Sequence, residues 1–177
     1  MKIDRTVIPE NNIYPYKKFG KWGYMNPKGK IVVQPEFDYV YSFGEDELAI
    51  IEQNKKHGFI NKKGEIVIQP QFDYADSFGK AELAPIKQNE KYGFINKKGE
   101  IVIQPQFDHV YGFEEAELAL IEQKNKYGFI NKKGEIVVKP QFSDAGTFGK
   151  AELAIIKKNR KYGFINQKGE IVIQPQF

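Results

Sequence analysis

The pattern K-x-G-[YF]-[IM]-N-x-x-G-[KE]-I-V-[VI]-x-P-x-F occurs five times in this chain at a fixed spacing of 35 residues. Since the five copies account for almost the whole chain, the sequence predicts one repeat domain over residues 1–177. Each repeat is one supersecondary module that buries its apolar faces against its neighbours. The five predicted units are approximately 3–37, 38–72, 73–107, 108–142 and 143–177.

Each repeat contains the residues of a small antiparallel meander. Two β-rich runs flank the sequence Asn96-Lys97-Lys98-Gly99, which is typical of a type I turn that ends in a left-handed glycine and a bulge. We therefore predict an all-β fold of three-stranded meanders, whose third strand ends at a proline such as Pro105. The first strand of two repeats contains a proline, Pro15 or Pro85. We therefore expect this strand to lie at a sheet edge, or the proline position to point outward. The linker to the next repeat is predicted to be an irregular crossover, with a fourth short strand as an alternative.

The meanders are apolar on both faces, so the sequence predicts that they stack on one another. Two architectures satisfy this packing. A closed, propeller-like ring is favoured, because residues 2–10 align with the crossover 37–45 and could complete the last unit. The alternative is an open, solenoid-like stack whose bare end drives dimerisation.

Charge and composition argue against several classes of function. The net charge is +4, but the lysines lie in turns and alternate with glutamates, whereas a nucleic-acid groove needs clustered basic residues between aromatic ones. The longest apolar runs have three or four residues, which argues against a membrane partner. The N-terminus has no signal-peptide core, so we expect a cytoplasmic protein, or one from which a leader has been removed.

Residues for catalysis are sparse. His57 and His109 occupy different repeat positions, and no nucleophile lies in a catalytic motif. Asp38, Asp73 and Asp108 follow the last Phe of three repeats, where turn capping is a better interpretation than cation binding. We expect no enzymatic activity, no cofactor and no metal.

The sequence Lys21-Trp22-Gly23-Tyr24-Met25-Asn26-x-x-Gly29, followed by Phe-x-x-x-Glu-Leu-Ala, resembles the WG (KWG) repeat family of bacterial proteins. The resemblance covers essentially the whole chain. It implies an all-β repeat array with a broad role in interaction, and it carries over no catalytic residue. Only the first repeat has the tryptophan of the family name. The later repeats have His57, Tyr92, Tyr127 and Tyr162 there, and we interpret this position as one of cross-strand packing.

Two crossover positions vary strongly between repeats, while the core and turn positions hardly change. Variable aromatic or charged residues on loops of a rigid scaffold are typical of a binding surface, although packing between repeats is an alternative role. The candidate ligand-binding residues are Tyr39, Tyr41, Tyr74, Asp76, His109, Tyr111 and Asp144. We predict a non-enzymatic module that binds a protein or peptide. The alternatives are a carbohydrate-binding module with one weak site per repeat, and a structural or assembly protein.

Overall fold

The computed structural model describes residues 12–177, which form an all-β structure of five antiparallel sheets. The first sheet has three strands in the order β1-β2-β3, and each of the other four sheets has four strands in chain order. Residues 12–177 contain no helix that is long and apolar enough to cross a membrane. The predicted alignment of residues 2–10 with a crossover falls outside the described residues.

The nineteen described strands repeat with the period of the sequence. Their bounds are β1 Tyr14–Lys18, β2 Lys21–Met25, β3 Ile31–Phe37, β4 Tyr39–Val40, β5 Leu48–Gln53, β6 Lys56–Asn61, β7 Ile66–Phe72, β8 Tyr74–Ala75, β9 Leu83–Gln88, β10 Lys91–Asn96, β11 Ile101–Phe107, β12 His109–Val110, β13 Leu118–Gln123, β14 Lys126–Asn131, β15 Ile136–Phe142, β16 Asp144–Ala145, β17 Leu153–Lys158, β18 Lys161–Asn166 and β19 Ile171–Ile173.

The chain divides into two compact units, Met1–Gln71, of which residues 12–71 are described, and Phe72–Phe177. The first unit contains the first two repeats, and the second unit contains the last three. The site described below lies entirely within the second unit.

Each of the last four repeats has a fourth strand, so the prediction of three-stranded meanders is wrong for them and the four-stranded alternative is right. The extra strand is the two-residue segment that opens the repeat, for example β8. It pairs with the next strand through Tyr74↔Lys87 and Ala75↔Ile86. The segment looked irregular in the sequence because only two residues of it are paired.

The two turns of the meander follow from their residues. Asn96 and Gly99 close the predicted turn, with the Gly99 amide donating to the Asn96 carbonyl at 2.9 Å and with Gly99 at φ +84°. The Asn96 side-chain oxygen also accepts from the amides of Lys98 and Glu100, each at 3.0 Å. The predicted turn with a left-handed glycine is therefore confirmed, and asparagine is suited to its first position because its side chain binds the turn's own backbone.

The third strand continues through its proline instead of ending there. In β11 the residues 104–106 lie opposite the single residue Gly93, because Tyr92 pairs with Phe107 and Phe94 pairs with Ile103. This bulge brings the backbones so close that a Cβ on Gly93 would lie 2.3 Å from the Ile103 carbonyl oxygen and 2.7 Å from the Pro105 nitrogen. Proline has no backbone N–H to donate, and a bulge in an outer strand does not require one. Pro105 is therefore accommodated within the strand.

The position of Pro85 also differs from the prediction. Its strand, β9, lies between β8 and β10 rather than at an edge, and Pro85 is buried. Proline is tolerated because β8 ends at Ala75, one residue before the position opposite Pro85. There the Pro85 carbonyl accepts from the Asp76 amide at 3.0 Å. In the first sheet, by contrast, Pro15 does lie on an outer strand, β1.

The hydrophobic cores lie between consecutive repeats. One core joins Phe94, Ile103 and Phe107 of the third repeat to Ala119 and Ile121 of the fourth. The next core repeats this arrangement one unit later, with residues of the fourth repeat packed on Ala154, Ile156 and Ile165 of the fifth. Stacking of meanders with two apolar faces, as the sequence predicts, is thus observed within this unit.

The fifth repeat has the same apolar residues on its outer face, but they are exposed. Leu153 and Ile155 are 38% and 42% exposed, whereas their equivalents in the fourth repeat, Leu118 and Leu120, are 5% and 2% exposed. Phe177 is 70% exposed.

We expect Gly93→Ala to destabilise the protein by at least about 2 kcal/mol, because the new Cβ forces the bulge open. The matched control is Gly112→Ala, whose Cβ would have its nearest neighbour at 4.0 Å. Urea unfolding followed by circular dichroism measures both. Equal stability of the two variants would contradict the role assigned to Gly93.

Candidate ligand-binding cavity

The short opening strands place the variable positions at one side of the repeats in the second unit. Tyr74 lies on β8 and His109 lies on β12, and Asp76 and Tyr111 follow these strands directly. The backbone amides of Asp76 and Tyr111 donate to the carbonyls of Pro85 and Leu120 at 3.0 and 2.9 Å. The loops that hold the candidate side chains are therefore fixed to the sheets by backbone hydrogen bonds.

A cavity of about 440 Å³ lies where the loops of the third, fourth and fifth repeats meet. This volume is within the range of small-molecule and side-chain binding pockets. Four of the seven predicted ligand-binding residues line it together. The lining residues with side chains are Tyr74, Asp76, Pro85, Tyr92, His109, Val110, Tyr111, Glu114 and Thr147.

The aromatic residues of the cavity form a row of rings set edge to face. The ring centroids of Tyr92 and His109 are 5.0 Å apart with an interplanar angle of 73°, and those of His109 and Tyr111 are 4.9 Å apart at 82°. Tyr74 contacts Tyr92 in the same way at 6.1 Å. Edge-to-face pairs are a favoured aromatic geometry, so the row holds its rings in defined orientations.

Tyr92 corrects the interpretation of the tryptophan position. It is half-buried and packs against the core between the third and fourth repeats, as predicted. It also lines the cavity, which the sequence analysis did not predict because this position is aromatic in nearly every repeat. The strand register could have identified Tyr92 as a lining residue. Lys87 pairs with both Tyr74 and Tyr92, which places the two rings on one face of the sheet.

Glu114 is the second residue that the sequence analysis missed. It stands at φ +50° in the crossover turn, where the second, third and fifth repeats have Gly44, Gly79 and Gly149 at φ values of +52° to +55°. A side chain at such a backbone conformation costs about 1–2 kcal/mol, so glycine is the expected residue. The departure from glycine in one repeat was visible in the sequence, and it identifies Glu114 as an acidic residue of the cavity lining.

A second cavity of about 330 Å³ adjoins the first and shares Asp76, Pro85 and Glu114 with it. Its rim contains the Glu115 carboxylate, which lies 3.1 Å from the ammonium of Lys80 and 3.7 Å from that of Lys150. The hydrogen bond from Lys80 and the charge of Lys150 lower the pKa of Glu115. The carboxylate of Glu115 is thus paired within the protein.

The other predicted ligand-binding residues lie elsewhere. Tyr39 and Tyr41 belong to the first unit, where Tyr39 contacts Trp22 at 5.6 Å and Tyr41 at 5.1 Å, edge to face in both cases. Both tyrosines are nearly half exposed. Asp144 lies on β16 opposite Lys157 and is not among the lining residues of the cavity.

The aspartates that follow the last Phe of a repeat cap turns, as predicted. The side-chain oxygens of Asp38, Asp73 and Asp108 accept from the amides of Asn54, Asn89 and Lys124 at 2.7, 3.0 and 2.6 Å. The amide in each case belongs to a left-handed residue of the first hairpin turn. Across residues 12–177, no group of three or more His, Asp or Glu side chains is placed to hold a metal ion.

Comparison with known proteins agrees with the repeat pattern. The family profile described as "WG containing repeat" matches residues 22–56, 58–92, 92–127, 127–162 and 162–177. No protein with a curated description matches the chain.

We expect the stability contributed by the capping aspartates to be lost in acid. The hydrogen bonds from Lys91 and from the Lys124 amide lower the pKa of Asp108, and those from Lys21 and the Asn54 amide lower the pKa of Asp38. A carboxyl group whose pKa is lower in the folded state stabilises the protein above its unfolded pKa of about 3.9. That contribution disappears as the pH falls through the folded value.

Asp108→Asn should therefore lower the urea midpoint at pH 7, and its effect should shrink progressively as the pH falls below about 3.9 and through the lowered pKa of the parent carboxyl group. Glu82→Gln, at an exposed carboxylate, is the control. A destabilisation by Asp108→Asn that does not change with pH would show that the charge of Asp108 does not contribute.

Proposed function

The chain belongs to the WG repeat family, and from this premise we propose that it is a non-enzymatic scaffold that binds a protein or peptide through its crossover loops. The observation that carries the proposal is the cavity lined by Tyr74, Asp76, His109 and Tyr111. These residues occupy two crossover positions that vary strongly between otherwise near-identical repeats. Loops that vary on a rigid scaffold are the usual location of binding sites in repeat proteins.

The shape of the cavity favours a peptide over a sugar. A sugar ring stacks on a flat aromatic face, whereas the rings of Tyr92, His109 and Tyr111 stand at 73° and 82° to one another. Rings packed edge to face offer no flat platform for a sugar ring, whereas a peptide side chain needs only the cavity that they line. Exposed tyrosines beside it supply flat apolar area with a polar tip, which is typical of surfaces that contact peptides.

The proposal predicts that selection from a random peptide library yields peptides that lose about tenfold in affinity on Tyr111→Ala, because the ring forms one wall of the cavity. Fluorescence anisotropy with the selected peptides measures the loss. Val102→Ala removes a similarly exposed side chain from β11, outside the cavity, and should leave the affinity unchanged.

Two results would contradict peptide binding. Equal losses for Tyr111→Ala and Val102→Ala would show that the peptides bind elsewhere. Absence of selected peptides, together with binding on a glycan array that Tyr39→Ala, Tyr74→Ala and Tyr111→Ala abolish without unfolding the protein, would support the carbohydrate-binding alternative.

A second candidate function, assembly with another copy, is favoured by the outer face of the fifth repeat. Leu153, Ile155 and Phe177 are exposed there, while the same positions one repeat earlier are buried by the next meander. The equivalent inner-face positions of the first repeat hold Tyr14, Tyr16 and Met25 instead of Ala, Ile and Ile. The first repeat therefore does not reproduce the surface that covers this face elsewhere, and we propose the same face of a second copy as the occupant.

Assembly predicts a sedimentation coefficient that rises with protein concentration, and Ile155→Glu should abolish the rise because a charge cannot be buried in such an interface. Val102→Glu is the control at an exposed valine of β11. A closed ring, which the sequence favours and which remains a prediction, would cover the face within one molecule. A monomer at every concentration would contradict assembly.

A further inference from the structure

We infer that the cavity lined by Tyr74, Tyr92, His109, Tyr111 and Glu114 receives a basic side chain, Lys or Arg, of the bound peptide. This inference rests on the proposed peptide-binding function and adds the chemistry of the ligand. It is carried by three features of the cavity, namely the arrangement of its rings, the sign of its charges and the residue at its strained turn.

The arrangement of the rings suits a cation. A cation binds over the negative face of an aromatic ring, and the lining of the cavity includes three tyrosines and a histidine. The ring planes of Tyr92 and His109 make an angle of 73° with centroids 5.0 Å apart, and those of His109 and Tyr111 make an angle of 82° with centroids 4.9 Å apart. The chain already uses this interaction, because the Lys87 ammonium lies 5.4 Å from the centre of the Tyr92 ring and the Lys157 ammonium lies 4.5 Å from that of Tyr162.

The charges of the cavity have one sign. Asp76 and Glu114 are the acidic residues of the lining, which includes neither Lys nor Arg. Beside the lining both signs occur, since His109 pairs across the sheet with Glu122, and Tyr74 pairs with Lys87 at the equivalent position of the third repeat. A cationic side chain is complementary to the acidic lining, and carboxylates offer charge-assisted hydrogen bonds to Lys and Arg.

The third feature is the presence of Glu114 itself. Glycine fits the turn in the second, third and fifth repeats, and its replacement by glutamate costs folding free energy. The neighbouring Lys80 and Lys150 pair with the carboxylate of Glu115. An acidic residue with a strained backbone thus lies in the cavity lining, which is the pattern expected where a residue is kept for binding at the expense of the fold.

The test is a titration followed by proton–nitrogen NMR of the whole chain with three acetylated and amidated heptapeptides, Gly-Ser-Ala-X-Ala-Ser-Gly, where X is lysine, arginine or norleucine. We expect the amide signals of Gly112 and Glu114 to shift on addition of the lysine and arginine peptides. The norleucine peptide should bind with at least about tenfold lower affinity, because it lacks the charge. Cellobiose serves as the sugar probe and should leave these signals in place.

Two substitutions at one position separate binding from stability. Glu114→Gln keeps the size of the side chain and the backbone strain but removes the charge. It should lower the affinity for the lysine peptide about tenfold. Glu114→Gly should weaken it at least as much while leaving the thermal midpoint equal to or above that of the parent, because the turn regains its preferred residue. Glu45→Gln, in the corresponding turn of the second repeat, should change neither value.

The outcomes distinguish this inference from the proposed function. Equal binding of the norleucine peptide, no effect of Glu114→Gln, or shifts with cellobiose alone would each overturn the basic-ligand inference. If library peptides bind in a Tyr111-dependent manner and yet the lysine and arginine peptides cause no shifts, the inference falls and the peptide-binding function stands. If no library peptide binds, the proposed function falls as well.

Discussion

The close approach of two backbones at the glycine of each repeat is the constraint on which the meander depends. At Gly93 no side chain fits, because the Ile103 carbonyl and the Pro105 nitrogen occupy the space of a Cβ. This contact allows three residues of β11 to bulge opposite one residue of β10. The bulge accommodates the proline and brings Phe107 opposite Tyr92, so that one ring enters the core while the other reaches the cavity. The same glycine and proline recur in every repeat.

Most of the fold could be predicted from the sequence, because most local sequence patterns occur in all five repeats. The Asn-x-x-Gly turn, the stacking of meanders with two apolar faces and the aspartate caps all depend on residues close in the chain or on simple burial. Two of the errors came from proline. The sequence predicts that Pro105 ends a strand and that Pro85 lies on an edge strand or points outward, whereas a bulge and the short length of β8 remove the hydrogen bond that each proline cannot make.

Part of the lining of the candidate cavity could be predicted from the sequence. Comparison of repeats identified Tyr74, Asp76, His109 and Tyr111, which line one cavity, but it gave equal weight to Tyr39, Tyr41 and Asp144, which do not. The sequence shows which positions vary, and only the arrangement of the loops shows which of them converge. Tyr92 was missed because a packing residue need not vary, and one face of its ring serves the core. Glu114 was missed because the prediction relied on variable aromatic positions and did not consider the turn position at which glutamate replaces glycine.

The cores shared between consecutive repeats restrict how an array of this kind can change its length. Phe129 and Leu120 of the fourth repeat are covered by the fifth, so a cut within a repeat would expose half a core. Removal or insertion of a whole number of 35-residue units, by contrast, regenerates an identical junction at the splice. Unequal recombination between near-identical repeats could therefore lengthen or shorten the gene product without a new folding problem, and each added unit would bring one more pair of loop positions free to diversify.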